Sequence, residues 1–250
     1  MPDLREKLIV ALDVDSLERV EEIVGALSGK VKFYKIGSQL FTAYGPEAVK
    51  IVRNGGGRVF LDLKFHDIPN TAYSATRSGA SILCAFEPDK CEGVVSSKVK
   101  EAINFPAVFM MTVHTKGGEE MLKEAARGAK ERAQELNIAR PFIVGVTRLT
   151  SDADEGNIKE EVLAAARLAK KSGLDGIVCA ATETRIIRDV FGPDFIIVNP
   201  GIRTKGARAD DQKRTATAKE AIEAGASYIV VGRPILEAKD PLRAVDELWV

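Results

Sequence analysis

Residues 8–15 read Leu8-Ile9-Val10-Ala11-Leu12-Asp13-Val14-Asp15, a continuous apolar run that closes on carboxylates. A strand with one face in water alternates apolar and polar side chains. A strand covered on both faces, as in a parallel sheet, reads as an unbroken apolar run. An open doubly wound sheet that binds a dinucleotide carries G-x-G-x-x-G directly after its first strand. Here no glycine follows. The chain passes to Ser16 and then to Leu17, Val20, Ile23, Val24 and Leu27, which share helical spacing behind a serine suited to capping. The fragment reads as a strand–helix unit without the dinucleotide fingerprint.

The same unit recurs outward from it. Strands are expected at Leu8–Val14, Phe33–Gly37, Val59–Lys64, Phe109–His114, Phe142–Thr147, Gly176–Ala180, Ile196–Asn199 and Tyr228–Gly232. Between them Pro46 suits a helix first turn. Helical patterns run from Glu119 to Leu136, Lys159 to Ser172, Thr182 to Val190, Thr217 to Ala224 and Pro241 to Leu248, with Gly173 and Gly225 placed as C-terminal stops. Eight units in 250 residues predict an α/β fold, a (β/α)8 TIM barrel, formed by residues 1–250 as a single domain, in preference to an open sheet. One stretch, about residues 81–106, is too long for a simple third crossover. Val95, Val99 and Ile103 recur every four residues and predict an extra helical insertion, while Ser81–Phe86 reads as a strand or as a helix end.

Composition narrows the function classes. The chain has 36 Lys+Arg against 36 Asp+Glu, a formal net charge of zero, with 45% apolar residues. That balance argues against a general nucleic-acid binder, which needs surplus cations to displace counterions. No apolar run approaches the roughly 18 residues that suggest a membrane span, and the charged start (Asp3, Arg5, Glu6, Lys7) has no signal-peptide core. Three cysteines without a CxxC fit a reducing compartment, and a cytoplasmic protein is expected. Two histidines, His66 and His114, make a His-rich metal site an unfavourable reading.

In a barrel, the C-terminal ends of the strands converge on one mouth, and that is where chemistry is carried out. The polar residues fall there: Asp13, Lys35, Asp62, Lys64, His114, Thr147, Arg148, Asn199 and Arg233. The strongest signal is Asp62-Leu63-Lys64-Phe65-His66-Asp67, because period-two alternation turns Asp62 and Lys64 the same way. Buried charges are costly unless paired, so with Lys35 on the next strand an alternating Lys35–Asp62–Lys64–Asp67 array becomes possible. It reads either as a structural ion-pair network or, as preferred here, as a preorganised electrostatic site. A second cluster, Pro200-Gly201-Ile202-Arg203 and Gly232-Arg233-Pro234, follows strands seven and eight, the usual phosphate site of this barrel. Glycine admits close backbone approach and arginine binds phosphate bidentately, so a phosphorylated substrate is expected. His66 and His114 read as structural hydrogen-bonders, Cys84 and Cys91 as buried thiols, and Met110 and Met111 as core filler.

Asp62-Leu63-Lys64-Phe65-His66-Asp67-Ile68-Pro69-Asn70-Thr71 resembles the signature of the orotidine 5'-phosphate decarboxylase family. Leu8–Asp13, Phe33–Gly37, Val113-His114 with Gly117-Gly118, Val146–Ser151, Pro200–Arg203 with Asp211-Gln212, and Gly232-Arg233-Pro234 resemble further family segments in the same order. The resemblance implies cofactor-independent decarboxylation of orotidine 5'-phosphate to UMP. It implies that Lys64 donates the proton to C6 and that Asp62 faces the substrate carboxylate. Asp13 and Lys35 would hold the ribose, with Lys35 also joining the charge array. Thr150, or Ser151 in its place, would meet the pyrimidine, and Arg203, Gln212, Gly232 and Arg233 would bind the phosphate. It further implies a homodimer in which Asp67, Ile68 and Thr71 enter the partner subunit's site. No metal is implied. The alternative on the same barrel is a metal-dependent sugar-phosphate decarboxylase or aldolase, and a third reading is a barrel that only binds nucleotide. Two features depart from the family pattern: about two dozen additional residues between Thr71 and Val113, and a charged Arg148.

Overall fold

Leu8–Ala11 forms β1, buried throughout. Seven more strands follow: β2 (Phe33–Gly37), β3 (Arg58–Phe65), β4 (Val108–His114), β5 (Phe142–Val146), β6 (Gly176–Val178), β7 (Ile196–Asn199) and β8 (Tyr228–Val231). In this computed structural model, which describes residues 4–82, 106–148, 157–203 and 216–249, all eight strands are parallel. They close into a barrel in chain order, with β8 returning to β1 through Leu8↔Ile229 and Val10↔Val231.

The apolar runs are explained by two cores. Alternate strand residues Ile9, Ala11, Phe33, Phe60, Met110, Val144, Val198 and Val230 form a cluster drawn wholly from strands, the barrel interior. Their neighbours Leu8, Val10, Ile36, Leu61, Met111 and Val113 join helix residues such as Ile23, Leu122 and Ile187 in the outer layer. Both faces are covered, so both sets of side chains are apolar. At the lower end of the interior, Phe33, Phe109 and Tyr228 pack ring against ring, with centroids 4.4–5.9 Å apart.

Ten helices are described: α1 (Leu17–Leu27), α2 (Ser38–Tyr44), α3 (Pro46–Asn54), α4 (Pro69–Ala80), α5 (Gly118–Glu135), α6 (Ile158–Lys171), α7 (Ala181–Phe191), α8 (Ala218–Ala224), α9 (Arg233–Leu236) and α10 (Pro241–Glu247). Ser16 caps α1 by accepting from the Arg19 backbone N–H at 3.2 Å. Gly173 and Gly225 take positive φ at helix ends, as their placement predicted.

The differences from expectation lie at boundaries. β1 stops at Ala11 and not at Val14, so Asp13 stands in the loop just above the strand, free to turn its carboxylate across the mouth. β6 stops at Val178 because Ala180 has become the N-cap of α7, its N–H donating to Glu183 Oε2 at 2.8 Å. Two short helices were not anticipated. α2 follows β2 directly and is separated from α3 by Gly45 at φ 54°. α9 begins on Arg233, which therefore opens a helix instead of trailing a strand. Ser81 caps the C-terminus of α4, so the ambiguous stretch begins as a helix end. Residues 83–105, with Cys84, Cys91, Val95, Val99 and Ile103, lie outside the described residues.

Gly176 shows how closely the strands meet. A Cβ placed there would overlap the backbone carbonyl of Ile196 on β7. Gly176→Ala is expected to destabilise the protein by about 1–3 kcal/mol through overpacking, read as a lower Tm with the same barrel circular dichroism. An unchanged Tm would contradict this packing.

Candidate active site

Period-two alternation along β2 sends Phe33 and Lys35 into the barrel, and Lys35 lies at the upper, open end. A Cβ on Gly37 would lie 3.0 Å from Lys35 Nζ, so the glycine leaves room for the ammonium. Lys35 Nζ donates to Asp13 Oδ1 at 2.8 Å and stands 3.8 Å from Asp62 Oδ2. The other lysine, Lys64, donates to the same Asp62 Oδ2 at 2.9 Å. The charges alternate as Asp13–Lys35–Asp62–Lys64. The side chains of Lys35 and Asp62 are only 12% and 13% exposed, against 37% for Lys64 and 52% for Asp13, so the two inner charges of the array are the enclosed ones. In so enclosed a setting each charge acts through fewer screening waters than at a surface.

Lys64 does not sit on a regular strand. Its φ is 51°, a left-handed conformation uncommon for a residue with a side chain. Pairing between β3 and β4 breaks there: Leu61 pairs with Met111 and Phe65 with Val113. The Lys64 backbone N–H donates to Thr112 Oγ1 at 2.8 Å, and Thr112 Oγ1 donates to Asp62 Oδ1 at 3.0 Å. Thr112 is fully buried and was missed by sequence reasoning. Its signal was there: one hydroxyl in the apolar strand Val108–His114, at the interior parity of Met110.

Asp13, Lys35, Asp62 and Lys64 line a cavity of about 520 Å³ at the C-terminal mouth, together with Gly201, Arg203, Gly232 and Arg233 from the loops after β7 and β8. Gly201 has φ 78°, and the Arg203 N–H donates to Ala216 O at 3.0 Å, closing the base of its loop. Closure of the barrel sets this end beside the first: the Cβ position of Gly232 is 3.5 Å from that of Ala11 and 3.8 Å from Asp13 Oδ2. Arg148 also faces the cavity, 8% exposed, and pairs with Glu161 of α6 at 3.1 Å. Among the described residues around it, the cations Lys35, Lys64, Arg148, Arg203 and Arg233 outnumber the carboxylates Asp13, Asp62 and Glu237, which favours a polyanionic ligand.

Other candidates stand apart. Asp67 is exposed beyond β3, absent from the cavity lining, and its Oδ1 accepts from the Ile68 N–H at 2.7 Å. Ile68 is 66% exposed, a large apolar side chain facing outward, and Thr71 is also exposed. Thr150, Ser151 and Gln212 lie outside the described residues. His114 Nδ1 accepts from the Lys116 N–H at 3.4 Å and its ring stacks on His66 at 5.5 Å. Asn199 is fully buried; it accepts from Thr184 Oγ1 and donates to Cys179 O, which ties β6, β7 and α7 together below the mouth. Among the described residues no three His, Cys, Asp or Glu side chains cluster as metal ligands, and no helix is long and apolar enough to cross a membrane.

A sequence profile of the orotidine 5'-phosphate decarboxylase / HUMPS family matches residues 6–86 and 93–248. The chain belongs to this family. Family membership therefore spans both ends of the cavity, the Asp62–Lys64 end and the Arg203–Arg233 end. Between Thr71 and Val113 the match leaves out only residues 87–92, far fewer than the two dozen additional residues expected there. Orotidine 5'-phosphate decarboxylase of Moorella thermoacetica is 42% identical over 249 residues, covering 96% of this chain and 89% of that protein. Orotidine 5'-phosphate decarboxylase of Pelobacter propionicus is 40% identical over 98% of this chain and 94% of that protein. The crystal structure of orotidine 5'-phosphate decarboxylase from Lactobacillus acidophilus superposes with a TM-score of 0.76 at 34% identity, covering 98% of this chain and 97% of that one.

Proposed function

We propose that this chain decarboxylates orotidine 5'-phosphate to UMP and CO2, the closing step of UMP biosynthesis, as a cofactor-independent carboxy-lyase. The observation that carries the reading is the Lys64–Asp62 pair, 2.9 Å apart at the mouth of a family barrel whose other end presents Arg203 and Arg233.

The chemistry follows from the substrate. When the C6–carboxylate bond breaks, its electron pair stays on C6, in the plane of the ring and without a π-system to spread it. The Lys64 ammonium beside C6 stabilises that charge and gives up its proton to form the C6–H bond, and the amine is then reprotonated from solvent. Asp62 lies where the carboxylate departs. It also anchors both lysines, so the positive charge is aimed before the reaction begins and little reorganisation is needed. Asp13 and Lys35 hold the ribose hydroxyls. Arg203 and Arg233, with Gly232 and with Gln212, bind the phosphate. Binding energy from that remote group supports orientation at the reacting carbon.

The active unit in this reading is a cytoplasmic homodimer. Asp67, Ile68 and Thr71 enter the partner subunit's site, and Thr150 meets the pyrimidine. Exposure of Asp67 and Ile68 on the rim, outside their own cavity, supports the exchange.

The direct test is turnover of orotidine 5'-phosphate in excess chelator, followed by the loss of orotate absorbance and by UMP formation. Full activity is expected. No turnover, accompanied by Mg-dependent conversion of a ketose phosphate, would replace this reading with the metal-dependent one.

A further inference from the structure

Between the paired positions Leu61↔Met111 and Phe65↔Val113, β3 carries Asp62, Leu63 and Lys64, whereas β4 carries Thr112 alone. Such a mismatch leaves backbone groups without ladder partners, and a buried N–H without a partner is costly. The Thr112 hydroxyl fills the gap. Its lone pair accepts from the Lys64 N–H at 2.8 Å, and its proton goes to Asp62 Oδ1 at 3.0 Å. This single fully buried oxygen therefore touches both members of the Asp62–Lys64 pair, one by its backbone and the other by its carboxylate. Asp62 Oδ2 is left to the two lysines. The left-handed backbone at Lys64, φ 51°, is a conformation that persists only where its surroundings over-determine it.

We propose that Thr112 is a positioning residue for the decarboxylation, holding the β3 bulge so that the Asp62 carboxylate and the Lys64 ammonium aim at one point. The proposal rests on the decarboxylase reading of the site. Thr112 is too deeply placed to bind substrate itself, so its loss acts on the reacting charges and not on the ribose and phosphate contacts.

The experiment compares Thr112→Val, which keeps the volume and removes both hydrogen bonds, with Thr112→Ser, which keeps the hydroxyl. Thr112→Ala serves as a second hydroxyl-free variant should the valine protein not fold. The readouts are kcat for orotidine 5'-phosphate and the Kd for UMP, a product without the carboxylate. Thr112→Val or Thr112→Ala is expected to lose kcat by on the order of 10- to 100-fold with UMP affinity unchanged. Thr112→Ser is expected to stay within a few-fold of the parent protein. Undiminished kcat in the hydroxyl-free variant would overturn the proposal. So would parallel loss of kcat and UMP affinity, or a serine variant as impaired as the valine one. A parent protein with no turnover overturns the decarboxylase reading and the proposal with it, whereas an active parent with an unaffected variant overturns the proposal alone.

Discussion

Lys64→Ala is expected to bind UMP nearly as well as the parent protein while kcat for orotidine 5'-phosphate falls by roughly four to seven orders of magnitude. The size follows from two separable losses. Proton delivery by a positioned acid is worth about 10²–10⁴-fold, and a preorganised charge at the site of developing negative charge is worth about 10²–10³-fold. In the proposed reaction Lys64 supplies both, from an ammonium held 2.9 Å from Asp62 Oδ2. Truncation also removes one of the two cations on that oxygen, leaving Lys35 at 3.8 Å. Single-turnover decarboxylation with a binding control checks it. A loss of less than about tenfold would move the proton-donor role to another group and return the Asp62–Lys64 pair to a structural ion pair.

The second large effect concerns Asp67. Its carboxylate is exposed, engaged by its own Ile68 N–H at 2.7 Å, and outside the cavity of its own subunit. If it completes the partner's array, Asp67→Ala alone is expected to cost about 10²–10³-fold in kcat. Mixed with Lys64→Ala, it should regain activity. Random exchange of equal amounts makes half the dimers mixed, and each mixed dimer carries one intact site of two, so about a quarter of parental activity is expected. Subunit exchange must be shown independently, for instance by mass-tagged protomers. Exchange without recovered activity would remove Asp67 from the shared site and with it the main reason for an obligatory dimer.

Much of this architecture is legible in one dimension because its cause is local. An apolar run such as Leu8–Ala11 is written wherever a strand is buried on both faces, and Ser16 or Gly225 marks a helix end, one by its hydroxyl cap and the other by its left-handed backbone. Parity along β3 correctly turned Asp62 and Lys64 to one side, and Lys35 was placed on the neighbouring strand for the same reason. What parity could not reveal is that β3 bulges at Lys64. A bulge is a mismatch of register between two strands, and the partner that satisfies it, Thr112, lies 48 positions further along the chain. Arg148 likewise looked anomalous in isolation. In the folded chain its guanidinium is enclosed at the mouth and meets Glu161 of the following helix.

The sequence by itself determined the repeated strand–helix unit, the faces of the strands and the kinds of side chain at the mouth, because each depends on burial and backbone preferences of adjacent residues. The tertiary structure decided which of those side chains meet. Closure of β8 onto β1 brings Gly232 so near Ala11 that a Cβ on the glycine would lie 3.5 Å from the Ala11 Cβ, so the end of the cavity written late in the chain adjoins the end written early. Pairing of β3 with β4 divides the two Asp62 oxygens between Thr112 and the lysines. Both are contacts between residues distant in the chain, set by ring closure and inter-strand hydrogen bonding, and no local pattern of residues encodes them.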